Sequence, residues 1–172
     1  MVRRLCWWLP RPRKNKYKGG FPLQFEKMLH KYLGRPDPNL ILHPFGGKAE
    51  IGLRCDLNPE VKPDFLVDAH DLPQDWTNKF EVVLLDPPYD AEHADRLYNS
   101  GKLHPKVYIK EAVRVCRPGG FVVHYHWYLP PRPEGCSWFA VIALLTRVYH
   151  KARIVAIFQK EGEHVPLPAQ FV

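Results

Sequence analysis

The residues best suited to chemistry in this sequence are Asp86-Pro87-Pro88-Tyr89, which directly follow the apolar run Glu81–Leu85. The run is typical of a strand buried on both faces, and neither proline can donate a hydrogen bond to a sheet. A carboxylate and an aromatic ring are therefore expected at the carboxyl end of a central strand, where open α/β sheets bind their ligands. An ordinary strand-to-turn junction capped by Asp86 is the alternative.

The Asp86-Pro87-Pro88-Tyr89 sequence resembles the Asp-Pro-Pro-Tyr motif of class I S-adenosylmethionine (SAM)-dependent amino-methyltransferases, which methylate the exocyclic amine of a nucleobase. The resemblance implies that the Asp86 carboxylate and the Pro87 carbonyl each accept one N–H of the target amine, and that Tyr89 stacks on the base. These acceptors would hold the nitrogen nearer to sp³ geometry, with its lone pair directed at the SAM methyl group. Loss of one preorganised polar partner usually costs about 10²–10³ in rate.

A second motif precedes the first one in the chain. Residues 39–43 are predicted to form the first strand, and Pro44-Phe45-Gly46-Gly47 follows it. This motif is similar to the Asp-Pro-Phe-Gly-Gly loop that many DNA amino-methylases wrap around the cofactor, in which glycines allow close approach of the backbone. His43 stands where that family usually has aspartate, and Lys48-Ala49 replaces the small polar residues that normally follow.

Three further positions match cofactor contacts of the same family. Phe21 lies in a Phe-Pro turn ahead of a predicted helix, like the segment that closes over the methionine end of SAM. Asp56-Leu57 ends the predicted second strand, 51–56, where an acid hydrogen-bonds the ribose hydroxyls. Asp68-Ala69 ends the predicted third strand, 64–69, and resembles the contact to the adenine of SAM. Carboxylates at strand ends also cap ordinary turns, which is the alternative for both acids.

The resemblance implies a Rossmann-like class I methyltransferase sheet, mostly parallel with an antiparallel C-terminal strand. Only 12 residues separate His43 from Asp56, and seven separate Asp56 from Asp64. A parallel crossover normally takes a dozen or more residues and carries a helix, so the crossovers between the first three strands are predicted to be short. The segment Trp7-Trp8-Leu9, or a second copy of the protein, is expected to cover the sheet face that these crossovers leave bare.

Periodicity and turn residues predict the remaining elements, which are helices over 23–33 and 105–116 and strands over 121–127 and 152–159. Pro118-Gly119-Gly120 is expected to end the second helix. Residues 138–149 are apolar on all sides and fit either a helix or a strand. A hairpin turn at His150-Lys151 would make the last strand the antiparallel edge of the sheet.

The net charge of +7 is concentrated at the N-terminus. Seven of the 25 Lys and Arg residues and none of the 18 acids lie in the first 18 residues, which leaves 18 basic against 18 acidic side chains elsewhere. We therefore divide the chain into a basic arm, residues 1–18, and a single methyltransferase domain, residues 19–172. The arm predicts phosphate contacts, with a solvated terminus as the alternative. The predicted nucleic-acid-binding residues are Arg11, Arg13, Lys14, Lys16, Lys18 and Lys102.

Several classes of protein are disfavoured by composition. The four cysteines form no Cys-x-x-Cys pair, so neither a disulfide framework nor a zinc site is predicted, and free thiols favour the cytoplasm. No apolar run is long enough to cross a bilayer. His124 and His126 share a sheet face, but no carboxylate or cysteine follows at ligand spacing, so no metal is predicted. The group 125–128 is expected near the substrate or partly in the core.

The order of these motifs over residues 19–127 predicts a SAM-dependent methyltransferase acting on adenine N6, with DNA favoured over RNA as the partner. Three alternatives stay open: cytosine N4 as the target, an RNA methyltransferase acting on guanine N2 or adenine N6 of ribosomal RNA, and a non-catalytic nucleic-acid-binding module with the same fold. No segment is long enough to be a separate target-recognition domain. Sequence preference is therefore expected to be weak or to come from a homodimer or another partner, or the substrate is single-stranded.

Overall fold

The computed structural model describes residues 2–11, 20–88, 103–148 and 150–162. Its seven strands are β1 Arg3–Trp8, β2 Ile41–His43, β3 Leu53–Arg54, β4 Phe80–Leu85, β5 Cys116–His126, β6 Cys136–Leu145 and β7 Arg153–Lys160. They form one sheet in the order β1-β6-β7-β5-β4-β2-β3. Strand β7 is antiparallel to both of its neighbours, and the other pairs are parallel. This arrangement confirms the predicted mostly parallel sheet with an antiparallel C-terminal strand.

Two helices cover opposite faces of the sheet. Helix α1, Phe25–Tyr32, buries Phe25 and Leu29 in a cluster with alternate residues of β2, β4, β5, β6 and β7. Helix α2, Pro105–Val115, buries Tyr108 and Ala112 against the other face. Both helices predicted from the spacing of apolar residues are confirmed, since each observed helix falls inside its predicted range.

The crossovers between the first strands are short, as predicted. Between β2 and β4 the chain forms β3 and two 3₁₀ helices, Pro59–Val61 and Gln74–Trp76, but no α-helix. The predicted third strand over 64–69 is wrong, because Phe65 alone pairs with the sheet, through one bridge to Cys55. The Asn58 N–H that would continue the ladder toward Val67 donates instead to Asp56 Oδ1, at 2.9 Å. The chain beyond Phe65 therefore turns away from the sheet.

Strand β5 follows α2 without a loop, so Pro118-Gly119-Gly120 does not end the helix as predicted. The helix ends at Val115 because Cys116 is extended and pairs with Phe80. The next paired residues are Val82 and Phe121, so the Pro-Gly-Gly segment is a bulge inside the strand. A Cβ on Gly120 would lie 2.7 Å from the Glu81 carbonyl oxygen, so only glycine lets the two strands approach this closely.

The first part of the predicted basic arm belongs to the sheet. Strand β1 pairs in parallel with β6 and forms the edge of the sheet, so the division at residue 18 did not anticipate this strand. Residues 138–149, which the sequence left open between helix and strand, lie mainly in β6. Strand β7 consequently lies inside the sheet, and the prediction that it forms the edge is wrong.

The end of β1 and Leu9, which follows it, cover part of the α1 face. Leu9 is 3% exposed, and the Trp7 ring packs edge-on against Phe25 and Tyr32, with centroid distances of 6.4 and 5.7 Å. Trp8 is 61% exposed because successive side chains of a strand point to opposite faces. Trp7 and Leu9 therefore cover the α1 face at the edge opposite to the short crossovers of β2 and β3, and the expected covering role is wrong for Trp8.

We expect Leu9→Ala to lower the free energy of unfolding by about 2–5 kcal/mol, the usual cost of truncating a buried leucine. Leu5, which lies in β1 but is 37% exposed, provides the matched control. Leu5→Ala should change the free energy of unfolding by less than about 1 kcal/mol. Urea denaturation of both variants measures the difference. Equal effects of the two substitutions would contradict the docking of this segment on the α1 face.

Candidate functional site

The carboxyl ends of β2 and β4 define a crevice in the sheet. These strands are neighbours, but the chain leaves β2 toward β3 on one side and leaves β4 toward β5 on the other. Such a reversal of strand order is the usual ligand site of an open α/β sheet. Pro44-Phe45-Gly46-Gly47 follows β2, and Asp86-Pro87-Pro88 follows β4, so the two predicted motifs flank the same crevice. Pro87 is buried, Asp86 and Pro88 are half-buried, and Tyr89 lies outside the described residues.

The loop after β2 packs tightly on β3. The Gly46 N–H donates to the Cys55 carbonyl at 2.7 Å, and the Gly47 N–H donates to Asp56 Oδ2 at 2.9 Å. A Cβ on Gly46 would lie 2.5 Å from the Arg54 Cβ, closer than two carbon atoms can approach. Gly46 is therefore required by contact of the protein with itself, while Pro44 is buried and Phe45 is half-buried beside it.

Asp56 joins the loops that follow β2 and β3. It is 3% exposed, and its Oδ1 accepts the Asn58 N–H at 2.9 Å while Oδ2 accepts that of Gly47. The half-buried Leu57 lies between the two loop contacts. Each carboxylate oxygen can accept more than one hydrogen bond, so the predicted ribose contact is compatible with this role.

Asp68-Ala69 is connected to α2 through a histidine that the sequence analysis did not assign. Asp68 Oδ1 accepts the backbone N–H of His70 at 2.9 Å and also its Nδ1–H at 2.7 Å. This fixes Nε2 as an acceptor, and the N–H of His104, the residue before α2, donates to it at 3.1 Å. Ala69 is buried behind this chain of hydrogen bonds, which holds the predicted adenine-binding segment against the first turn of α2.

His43, which stands in place of the family's aspartate, is neutral at pH 7. It is 2% exposed, and its Nε2–H donates to the Ile51 carbonyl at 2.7 Å. Burial lowers the pKa of His43 to about 4. Phe21 lies 6.4 Å from the His43 ring and 5.2 Å from the Tyr125 ring, between centroids. The structure thus brings Phe21 to the ends of β2 and β5, beside the crevice.

A cluster of histidine and tyrosine side chains borders the crevice on the β5 side. His124 pairs with Leu85, the residue before Asp86, and is 1% exposed. Its Nε2 lies 3.4 Å from the Tyr108 hydroxyl, and the two rings are stacked. His126 packs against Tyr128 at a centroid distance of 4.2 Å. The described residues contain no group of three side chains able to hold a metal ion.

We expect stability to fall steeply between pH 6.5 and 4 because three buried histidines are neutral in the folded state. Burial lowers the pKa of His43 and His126 to about 4 and that of His124 to about 3. In the unfolded chain these groups protonate near pH 6.5, so the unfolded state binds more protons across this range and is favoured as pH falls. At pH 5 each of these histidines should lower the free energy of unfolding, relative to its value at pH 7, by on the order of 1–2 kcal/mol.

Urea denaturation at pH 7, 6 and 5 measures this effect, and the His43→Leu variant, which has one titrating group fewer, should show a shallower dependence. A free energy of unfolding that is constant from pH 7 to 5 would contradict the burial of neutral histidines.

The predicted nucleic-acid-binding residues lie mostly outside the described part of the chain. Arg11 is exposed and follows Pro10, whose carbonyl accepts the Leu23 N–H at 3.2 Å. This contact holds Arg11 near the Phe21 turn. The predicted residues outside the described ranges are Arg13, Lys14, Lys16, Lys18 and Lys102.

No family model matches the sequence, and no curated protein has a significantly matching sequence. Among solved structures, the fold is similar to that of the 1,6-didemethyltoxoflavin-N1-methyltransferase of Burkholderia thailandensis, crystallised with 1,6-didemethyltoxoflavin and S-adenosylhomocysteine. The TM-score is 0.54 at 13% identity, covering 79% of this chain and 76% of that one. A SAM-dependent methyltransferase from Aquifex aeolicus is also similar, with a TM-score of 0.50 at 12% identity, covering 78% and 88%.

The type IIG restriction endonuclease BpuSI gives a TM-score of 0.55 at 13% identity, covering 89% of this chain but 27% of that protein. Within the described ranges, no helix has the length and apolar character needed to cross a bilayer. The strand order, the antiparallel β7 and these similarities together show that the chain has the Rossmann-like fold of class I methyltransferases.

Proposed function

We propose that this protein is a SAM-dependent methyltransferase acting on the exocyclic amine of a nucleobase, with adenine N6 in DNA as the favoured target. The observation that carries the proposal is the position of Asp86-Pro87-Pro88 at the carboxyl end of β4, across the crevice from the Pro44–Gly47 loop. Methyltransferase folds serve small molecules as well as nucleic acids, so the target is inferred from this motif and not from the fold.

The crevice has groups that suit SAM. Half-buried Phe21 and Phe45 offer apolar surfaces beside it, the Asp56 carboxylate suits the ribose hydroxyls, and Asp68 suits the adenine amine. The cofactor, when bound, supplies an electrophilic methyl group. The loop around Gly46 is fixed by its own contacts with β3 before any ligand binds, which limits the ordering cost of binding.

The acceptors after β4 would orient the target amine. The Asp86 carboxylate and the Pro87 carbonyl would each accept one amine N–H, which localises the nitrogen lone pair and directs it into the crevice. Tyr89 would stack on the base. The base must leave its stack to reach these groups, at a cost of a few kcal/mol in a duplex and less in a single strand.

A non-catalytic nucleic-acid-binding module is the second candidate. The neutral His43 replaces an acid, and both oxygens of Asp56 already accept backbone N–H groups, so the cofactor half of the crevice carries less available negative charge than the family pattern implies. An RNA methyltransferase acting on guanine N2 or adenine N6 of ribosomal RNA would use the same acceptors.

Two measurements test the proposal. Calorimetry with SAM should show binding, and absence of binding at millimolar SAM would favour the non-catalytic module. Incubation with labelled SAM and single-stranded DNA, duplex DNA or ribosomal RNA, followed by nucleoside mass spectrometry, should then yield N6-methyldeoxyadenosine from the DNA. N6-methyladenosine or N2-methylguanosine from the ribosomal RNA would identify the RNA alternative, and unlabelled nucleic acid despite SAM binding would overturn the proposed substrate class.

A further inference from the structure

The carboxyl ends of β5, β6 and β1 lie along the same edge of the sheet as the crevice, because these strands are parallel to β4. The connection between β5 and β6 spans only residues 127–135 and contains no helix. Trp127 and Tyr128, the first two residues of this connection, are exposed.

Exposed aromatic side chains are concentrated on these loops. Trp127 is 50% exposed and Tyr128 is 38% exposed, immediately after β5, while Trp8 at the end of β1 is 61% exposed. Apolar residues exposed singly are normal, but contiguous exposed apolar surface marks an interaction site, and Trp127 and Tyr128 are neighbours. The distance from the end of β5 to that of β1 is three strand spacings, or about 14 Å. The rings thus extend along the edge from the crevice to the outermost strand.

The charges around these rings are mainly positive. Residues 8–11, 126–135 and 146–153 contain five Lys or Arg residues and one acid, Glu134. Arg11, Arg147 and Lys151 are exposed, and no ion pair in the described ranges involves them. The Lys151 ammonium lies 4.9 Å from the centre of the Trp127 ring, so one cation and one aromatic face are already presented together.

The surface is continuous with the turn Asp86-Pro87-Pro88 at the end of β4, here called the Asp86 corner. Tyr128 packs on His126, the His126 and His124 rings are 5.5 Å apart, and His124 pairs with the residue before Asp86. Exposed rings can stack only on bases that are themselves unstacked and unpaired, while a duplex presents mainly phosphates and base edges. Rings and unpaired cations along one edge are therefore suited to a single strand.

We propose that the loop surface formed by Trp8, Arg11, Trp127, Tyr128, Arg147 and Lys151 binds single-stranded nucleic acid and leads the strand toward the Asp86 corner. Trp127 and Tyr128 stack on bases, and Arg147 and Lys151 contact phosphates. Only the destination of the strand rests on the proposed methyl transfer. Binding of the strand itself needs no cofactor.

The test measures binding of the full-length protein to fluorescent 12-nucleotide single strands of DNA and RNA by anisotropy, without cofactor. Trp127→Ala should weaken binding about 10-fold, since stacking on one ring contributes that much. The double variant Arg147→Glu, Lys151→Glu should weaken it at least as much, and lower the slope of log affinity against log salt by about 1.4. Lys31→Glu, Lys62→Glu is the matched control, because Lys31 lies in the last turn of α1 and Lys62 beyond β3 at the opposite edge.

Unchanged binding by the loop variants, all shown by thermal melting to be folded, would overturn the proposal, as would tighter binding to a duplex of the same length. Binding to anionic phospholipid vesicles but not to single strands would overturn it in favour of a membrane surface. Calorimetry with SAM on the same variants separates the two proposals. Strand binding that depends on Trp127 in a protein that does not bind SAM would retain this surface and refute the methyl transfer.

Discussion

Asp86→Ala is expected to reduce methyl transfer to the nucleobase amine by at least about 10²–10³-fold, with SAM affinity little changed. The carboxylate lies at the carboxyl end of β4, beside the buried Pro87, so its position is set by the strand and the prolines. A preorganised acceptor at the reacting atom acts mainly in the transition state, so its loss should appear in kcat more than in KM. Single-turnover transfer of labelled methyl groups measures the rate.

The control for this variant is a measurement of its stability, which shows whether the protein is still folded. Asp86 is half-buried and follows the strand, so Asp86→Ala should leave the free energy of unfolding, measured by urea denaturation, within about 1 kcal/mol of that of the parent. Asp86→Asn keeps the shape and one acceptor oxygen, and it should fall between the parent and alanine. Full transfer activity in the alanine variant would mean that the chemistry lies elsewhere in the crevice.

Gly46→Ala should destabilise the protein by about 1–3 kcal/mol and weaken SAM binding at least 10-fold. The new methyl group would lie 2.5 Å from the Arg54 Cβ and 2.9 Å from its Cα, and neither atom can move without moving β3. Relief of this contact must displace the loop that carries Gly47 and its hydrogen bond to Asp56. The cofactor loop and the strand beside it are therefore disturbed together. Urea denaturation and calorimetry measure the two effects.

Gly20→Ala is the matched control for this substitution. No atom lies within 4 Å of a Cβ built on Gly20, so alanine there should change stability by less than about 1 kcal/mol in either direction. Near-native SAM affinity in Gly46→Ala, together with a lowered stability, would mean that the loop after β2 does not hold the cofactor.

Parts of the site could be predicted because they depend on local rules. Prolines cannot continue a ladder, so the end of β4 at Asp86 follows from Pro87 and Pro88 alone. The apolar period of α2 and the glycines after β2 are equally local. His70 and His104 were missed, since their hydrogen bond joins residues 34 positions apart that no spacing rule connects. The one visible indication was a histidine two positions after Asp68.

The sequence alone determined where β2 and β4 end and which residues follow them, because hydrogen-bonding capacity and side-chain shape act within a few residues. Tertiary structure alone decided that Arg3–Trp8 forms an edge strand, that Phe65 pairs through a single bridge, and that the Pro-Gly-Gly segment is a bulge inside β5. Each of these outcomes depends on which backbone groups of a distant strand remain free to pair. Asp56 illustrates the reason, since its side chain takes the Asn58 N–H that a third strand would have needed.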